Sequence, residues 1–171
     1  ASGVIPYDDN ARRHHSPVFE SSGHAAKYLG DLARSNGWLI AYKPHPFASR
    51  AQDVTETDDI AVHGKVDIND CIDLSDCVVT ILSQASYVTL IREKPLVMLG
   101  YNQLRGRDCC YRAETLEAVG PAIGRALAEG YTPAQRAATV DHVARLLKYY
   151  LYEFDGTAPL LDNANPVDRK S

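Results

Sequence analysis

Two short polar clusters, each placed directly after an apolar segment, contain the residues best suited to binding an anion. The first is Lys43-Pro44-His45-Pro46 and the second is Ser83-Gln84-Ala85-Ser86. A lysine ammonium or an imidazole can form charge-assisted hydrogen bonds to phosphate. Serine hydroxyls and unpaired backbone N–H groups at a helix start can do the same, helped by the helix dipole. The two clusters therefore predict a phosphate site.

The second cluster lies in a segment with the pattern of one βαβ unit. Residues 77–82 form a short apolar run rich in β-branched side chains, which is typical of a strand buried on both faces. A helix is predicted over 87–92, and residues 96–99 are typical of the next parallel strand, which ends at Gly100. Ligands of such units bind outside the carboxyl ends of the strands, so the serine turn is expected to lie there.

The rest of the chain also alternates strands and helices. Strands are predicted over 4–7, 38–42 and 60–62, and helices over 23–35, 67–74, 115–129 and 133–154. Within 115–129, Pro121 implies a kink or a true start of the helix near Gly120. This alternation predicts an α/β fold, a Rossmann-like and mainly parallel sheet with helices on both faces. We expect a single domain over 1–171, in which 155–171 is a loose tail.

The last helix has the clearest signals. Thr132 is placed to cap it, Pro133 to be its first residue, and Gln135 to complete a capping box. Its apolar residues recur at alternating steps of three and four, as in an amphipathic helix: Ala137, Val140, Ala144, Leu147, Leu151 and Phe154.

Composition narrows the classes of function. The chain has 171 residues and a net charge of −4, so broad electrostatic attraction to nucleic acid or to an anionic membrane is not expected. Its four cysteines lack C-x-x-C spacing, which predicts reduced thiols and no metal site. No apolar run is long enough to cross a membrane, so we expect a cytoplasmic protein with at most peripheral membrane association.

Four segments carry a resemblance to a known family: 15–17 (HSP), 43–46 (KPHP), 78–83 (VVTILS) and 94–100 (KPLVMLG). In this order and spacing they resemble the capsule polysaccharide biosynthesis family, which includes the bacterial Kdo transferases of capsule assembly. The resemblance runs from about His15 to the end of the last helix. It implies a GT-B glycosyltransferase with two Rossmann-like halves, of which this chain is the C-terminal, donor-binding half and lacks the N-terminal one.

The resemblance also implies roles for particular residues. His45 matches a histidine that approaches the donor phosphate, Ser83 a serine at the next phosphate-facing turn, and Gly100 the glycine that closes the following strand. Val88 is a departure, because the family often has a glutamate there, which related enzymes use to bind ribose. The implied substrate is a nucleotide-activated sugar, for example a CMP-linked acidic sugar such as Kdo. The implied acceptor is a glycan or glycolipid, and no separate cofactor is expected.

The candidate residues fall into two groups. The donor-phosphate group comprises Lys43, His45, Ser83, Gln84, Ala85 and Ser86, and a wider cleft group comprises His14, His15, Gly100, Arg105 and Arg107. The loop carboxylates Asp8, Asp9 and Asp108 offer no assignable general base.

Two alternatives stay open, because phosphate-holding turns serve several activities on one fold. One is a sugar-nucleotide epimerase or a glycerophosphotransferase. The other is a non-catalytic nucleotide-binding or assembly module, for which Val88 is the best support.

Overall fold

The computed structural model describes residues 16–44 and 54–149. The helices are α1 (Ser22–Asn36), α2 (Ile68–Leu74), α3 (Ala85–Ile91), α4 (Leu116–Glu129) and α5 (Pro133–Tyr149). The strands are β1 (Ile40–Tyr42), β2 (Ile60–Val62), β3 (Val78–Thr80), β4 (Leu96–Met98) and β5 (Tyr111–Arg112). The mixed α/β fold expected from the sequence is confirmed. Predictions on 1–15, 45–53 and 150–171, including the first strand and the loose tail, lie outside the described residues.

The strands within 16–44 and 54–149 form two parallel sheets, where the sequence led us to expect one. The first sheet pairs β1 with β2, and the second has the order β3-β4-β5. Val78 lies opposite Leu96 and Thr80 opposite Met98, with α3 connecting the two strands. The predicted βαβ unit is therefore confirmed. Each strand has only two or three residues, so few backbone groups are available for hydrogen bonds between a strand of one sheet and a strand of the other.

Strand β5 was not predicted, since residues 101–112 have the composition of a polar, basic loop. It comprises only Tyr111 and Arg112, which pair with Val97 and Met98 of β4. Two residues are too few to show the alternation by which a strand is recognised in a sequence.

Helices cover both faces of the three-stranded sheet, as predicted. Val97 of β4 belongs to a buried cluster with Leu29 of α1 and Val119 of α4. Its neighbour Met98 points to the opposite face and packs in a second cluster with Leu90 of α3. Successive side chains of a strand alternate between the faces of a sheet, so an all-apolar strand such as β4 has to be covered on both faces.

The start, the packing and the end of α1 each depend on a small residue. The Ser21 side chain caps the helix by accepting a hydrogen bond from the His24 N–H at 3.1 Å. Gly37 ends it with a left-handed φ of 69°. A Cβ atom on Gly30 would lie 2.7 Å from Cδ1 of Ile60, so this glycine allows α1 to approach β2 closely.

The predictions for the starts of the last two helices had different outcomes. Helix α4 begins at Leu116 and continues through Pro121, so the predicted alternative of a later start is wrong. Helix α5 begins with the predicted capping box: the Thr132 N–H donates to Oε1 of Gln135 at 3.0 Å, and the Gln135 N–H donates to Oγ1 of Thr132 at 3.2 Å. None of the helices in the described ranges is both long and apolar enough to cross a membrane.

Candidate functional site

The serine turn after β3 is closed by its own hydrogen bonds. The N–H of Ser83 donates to Oγ1 of Thr80 at 3.3 Å, and Oγ of Ser83 accepts from the N–H of Ala85 at 3.1 Å. The N–H of Ser86 donates to the carbonyl oxygen of Ser83 at 3.1 Å. Serine and threonine favour such turns because their hydroxyls can bond to nearby backbone groups. Most of the donors expected to face a phosphate are therefore engaged in the turn.

Two residues of the turn offer an accessible polar group to a ligand, since the N–H of the half-buried Ala85 already donates to Ser83. Gln84 is exposed, and its N–H has no acceptor among the described residues. Ser83 is half-buried. Ser86, in contrast, is fully buried, and its hydroxyl accepts a hydrogen bond from Nδ2 of Asn102 at 3.2 Å. An anion at this turn would therefore contact Ser83 and Gln84.

The first predicted cluster lies only partly in the described residues. Lys43 follows β1, and its Nζ donates to the carbonyl oxygen of Gly64, after β2, at 3.0 Å. The lysine is thus at the carboxyl end of its strand, as predicted, and its ammonium bonds to a neighbouring loop. His14, His15 and His45 lie outside the described residues, so the expected proximity of His45 and Ser83 stays a prediction.

A small depression lies at the carboxyl ends of β4 and β5. Its lining comprises Pro17, Met98, Gly100, Tyr101, Asn102, Leu104, Arg105, Arg112, Ala113 and Glu114, and it has room for about one water molecule. Gly100 and Arg105 are predicted cleft residues, and both line this depression. It lies at the strand ends where ligands of parallel sheets bind.

Asn102 joins this depression to the serine turn. Its Nδ2 donates to the Ser86 hydroxyl, and its Oδ1 accepts the N–H of Leu104 at 2.8 Å. The turn after β3 and the loop after β4 therefore share one edge of the sheet. Asn102 was not among the predicted residues, and only its place shortly after Gly100 could have indicated it.

Two arginines carry the positive charge beside the depression. The guanidinium of Arg105 lies 3.7 Å from the ring centroid of Tyr101, a cation–π contact. Nη2 of Arg112 donates to the carbonyl oxygens of Leu104 and Arg107. Arg112 thus holds the loop in place, whereas the charge of Arg105 is the one available to an anion.

A second polar group lies on the α3 side of the sheet. The hydroxyl of Tyr87 lies 3.2 Å from Nε2 of His142 and donates to Oε1 of Gln103 at 3.0 Å. The two rings stack with centroids 5.9 Å apart. Burial lowers the pKa of His142, and the positive charge of Arg107 lowers it further, against the opposing effect of Asp141. Arg107, predicted for the cleft, acts electrostatically on this group and does not line the depression.

The cysteines of the described ranges are free thiols. Burial raises the pKa of Cys77 to about 12, and the carboxylate of Asp76 adds to this shift. Burial also raises the pKa of Cys109 and of Cys110. These three thiols are therefore protonated and weakly nucleophilic at neutral pH. Within 16–44 and 54–149, no group of three or more His, Cys, Asp or Glu side chains could hold a metal ion.

Neither a protein-family model nor a curated protein matches this chain.

Proposed function

We propose that this chain binds the phosphate groups of a nucleotide-activated sugar at the carboxyl ends of β3 and β4. One observation carries the proposal. The Asn102–Ser86 hydrogen bond holds the loop after β4 against the turn after β3, so that Gln84 and Arg105 belong to the same edge of the sheet. Parallel α/β units bind their ligands at this edge.

Two arginines, Arg105 and Arg112, and one carboxylate, Glu114, line the depression, so its cations outnumber its anions. The whole chain has a net charge of −4, so an anion is attracted only where cations and N–H donors are placed near it. Arg105 supplies a cation and Gln84 a backbone N–H with no acceptor among the described residues. The hydroxyl of Ser83 adds a donor that can rotate toward a phosphate oxygen.

The finer proposal rests on the four resembling segments. The chain would be the C-terminal, donor-binding half of a bacterial GT-B glycosyltransferase of capsule or surface polysaccharide synthesis, with CMP-Kdo as one candidate donor. An N-terminal half would supply the acceptor side for a glycan or glycolipid, on the cytoplasmic face of the membrane. Lys43 and His45 would complete the phosphate contacts.

A non-catalytic nucleotide-binding module is the second candidate. The depression holds only about one water molecule, and Val88 occupies the position where the family often has its ribose-binding glutamate. An epimerase or a glycerophosphotransferase has no observation of its own in this structure, and product analysis would separate those activities.

Calorimetric titration of the chain with CMP, CDP, UDP, GDP and inorganic phosphate tests the proposed site. We expect binding of at least one nucleotide, and Ser83→Ala and Arg105→Met are each expected to weaken it about 10- to 100-fold, the usual range for a lost charge-assisted hydrogen bond. Ser35→Ala and Arg125→Met, at exposed positions of α1 and α4, are matched controls that should leave affinity unchanged. Binding that is equally strong in all four variants would place the ligand elsewhere.

A product assay tests the proposal that this donor-binding half needs an N-terminal half to transfer the sugar. The chain is incubated with a CMP-activated sugar and a mixture of glycan acceptors, and glycosylated products are sought by mass spectrometry. We expect none, because an opposing wall is needed to exclude water and to position the acceptor. Multiple turnovers by this chain would refute the half-enzyme proposal.

A further inference from the structure

Helix α5 packs on the protein through its polar side and leaves its apolar side exposed. Its buried residues are Gln135, Thr139 and His142. The opposite side carries Ala137, Val140, Ala144 and Leu147, which we call the α5 seam. All four are exposed, Val140 to 63% and Leu147 to 60%. A row of exposed aliphatic side chains along a helix is typical of a surface that binds a partner.

The hydrogen bonds of the buried side keep the seam on the surface. The hydroxyl of Tyr131 donates to Oγ1 of Thr139 at 2.7 Å. The hydroxyl of Thr139 in turn donates to the carbonyl oxygen of Gln135 at 2.9 Å. His142 stacks on Tyr87 and lies within hydrogen-bond distance of its hydroxyl. Rotating α5 to bury its seam would break these contacts and leave buried polar groups unpaired. An unpaired buried polar group costs more free energy than a hydrogen bond contributes on balance.

The spacing of the seam favours another helix as the partner. Its residues are separated by steps of three, four and three, and the sequence continues the series at Leu151 and Phe154. This is the 3.5-residue period of a coiled-coil seam, narrower than the stripe of a helix that faces a globular core. Ala137 and Ala144, seven residues apart, also let a second helix approach closely, because the distance between helix axes depends on the side chains at the contact.

The charges beside the seam are complementary to those of a second copy. Asp141 follows Val140 and Lys148 follows Leu147, so both flank the seam on the same side. If two α5 helices run antiparallel with Ala144 packed on the partner's Leu147, each Asp141 faces the partner's Lys148. We propose that two copies of this chain associate through their α5 seams as an antiparallel helix pair. This interface does not depend on the nucleotide site.

Sedimentation equilibrium of the full 171-residue chain, over about 1 to 300 μM, tests the association in a range suited to a small interface. We expect a concentration-dependent dimer. Leu147→Glu should raise its Kd at least about 100-fold, because Leu147 packs on the partner's Ala144 in this arrangement and a carboxylate there would be buried without a partner. Leu74→Glu, on α2 at a leucine that is 87% exposed, is the matched control and should leave the Kd unchanged. A monomer at every concentration, or equal effects of the two variants, would overturn the proposal.

A charge exchange tests the direction of the two helices. Asp141→Lys and Lys148→Asp should each weaken the dimer, and the double variant should recover most of the lost affinity. Because Asp141 also pairs with Arg145 on its own helix, at 2.9 Å, circular dichroism of each variant monitors helix content separately. A parallel pair would place Asp141 opposite the partner's Arg136, so Lys148→Asp would have no effect. That result, or a double variant that stays weak, would refute the antiparallel arrangement.

Discussion

Helices α4 and α5 are neighbours in the chain, yet α4 buries aliphatic residues and α5 buries polar ones. Helix α4 buries its aliphatic positions Val119 and Ile123. Helix α5 buries Thr139 and His142 and leaves Val140 on the surface. In α5, apolar periodicity therefore identified the helix but not the side on which it packs.

The surfaces beneath the two helices explain the difference. Helix α4 packs in the aliphatic cluster that includes Val97 and Leu99. Helix α5 lies against the hydroxyls of Tyr87 and Tyr131, which require hydrogen-bond partners when they are covered. Its polar side supplies them, and no buried side-chain nitrogen or oxygen in the described ranges lacks a partner. Satisfying buried polar groups thus determined the orientation of α5.

The largest expected effect comes from placing the same charge on the apolar stripe of each helix. Val119→Asp should destabilise the fold by more than about 4 kcal/mol, since Val119 is fully buried and the carboxylate would have no partner. Val140→Asp should change stability by less than about 0.5 kcal/mol in the monomer, because the site is exposed. Urea denaturation at concentrations too low for self-association measures both. Comparable losses in the two variants would contradict the exposed seam.

The next effect tests the polar contact that orients α5. Thr139→Val keeps the shape of the side chain but removes the acceptor of the Tyr131 hydroxyl, and it should cost about 1–2 kcal/mol. Thr139→Ser keeps the hydroxyl and deletes one methyl group, so its cost should be clearly smaller. If both substitutions cost the same, the packing of the methyl group, not the hydrogen bond, fixes the helix.

A smaller difference is expected at the helix starts. Thr132 caps α5 through a side-chain hydrogen bond, whereas Thr115 at the start of α4 makes none. Thr132→Ala should therefore cost about 1 kcal/mol, and Thr115→Ala only a few tenths. Thermal unfolding of the two variants under the same conditions provides the comparison. A larger loss for Thr115→Ala would show that its hydroxyl contributes in some other way.

Capping residues and apolar patterns in the sequence predicted the helices and most of the strands, because each of these elements is long enough to show such a pattern. The capping box at Thr132 and the βαβ unit around Ser83 were both recognised from the sequence and are confirmed. Strand β5 was missed because two residues are too few to show a period. The division into two sheets was missed because it depends on pairing between distant segments.

The candidate site was only partly predictable for a similar reason. Ser83 and Gly100 were placed at strand ends by the pattern of the elements. The burial of Ser86 under Asn102 depends on a contact between residues that are far apart in sequence, and no spacing rule reveals it.

The smallest expected effect is a change in how stability depends on pH. It involves a histidine, a residue type that α5 contains and α4 lacks. Burial, reinforced by Arg107 and opposed by Asp141, lowers the pKa of His142 below the ordinary value of 6.5. Between the folded-state pKa and 6.5 the unfolded chain binds more protons, so stability rises with pH in this window. The contribution of neutral His142 is complete above 6.5 and is lost as pH falls through the window.

His142→Gln removes this titration while keeping an amide that can donate to the Tyr87 hydroxyl. Urea denaturation at a series of pH values from about 7.5 to 5, which brackets the ordinary histidine pKa, should therefore show a shallower loss of stability in the variant than in the wild type. Tyr87→Phe is the matched control: it deletes the hydroxyl and keeps the ring over His142, so the wild-type slope should persist because burial is the main cause. A slope that disappears in Tyr87→Phe would show that the hydroxyl, not burial, keeps His142 neutral. An unchanged slope in His142→Gln would show that the orientation of α5 is not linked to the titration of this histidine.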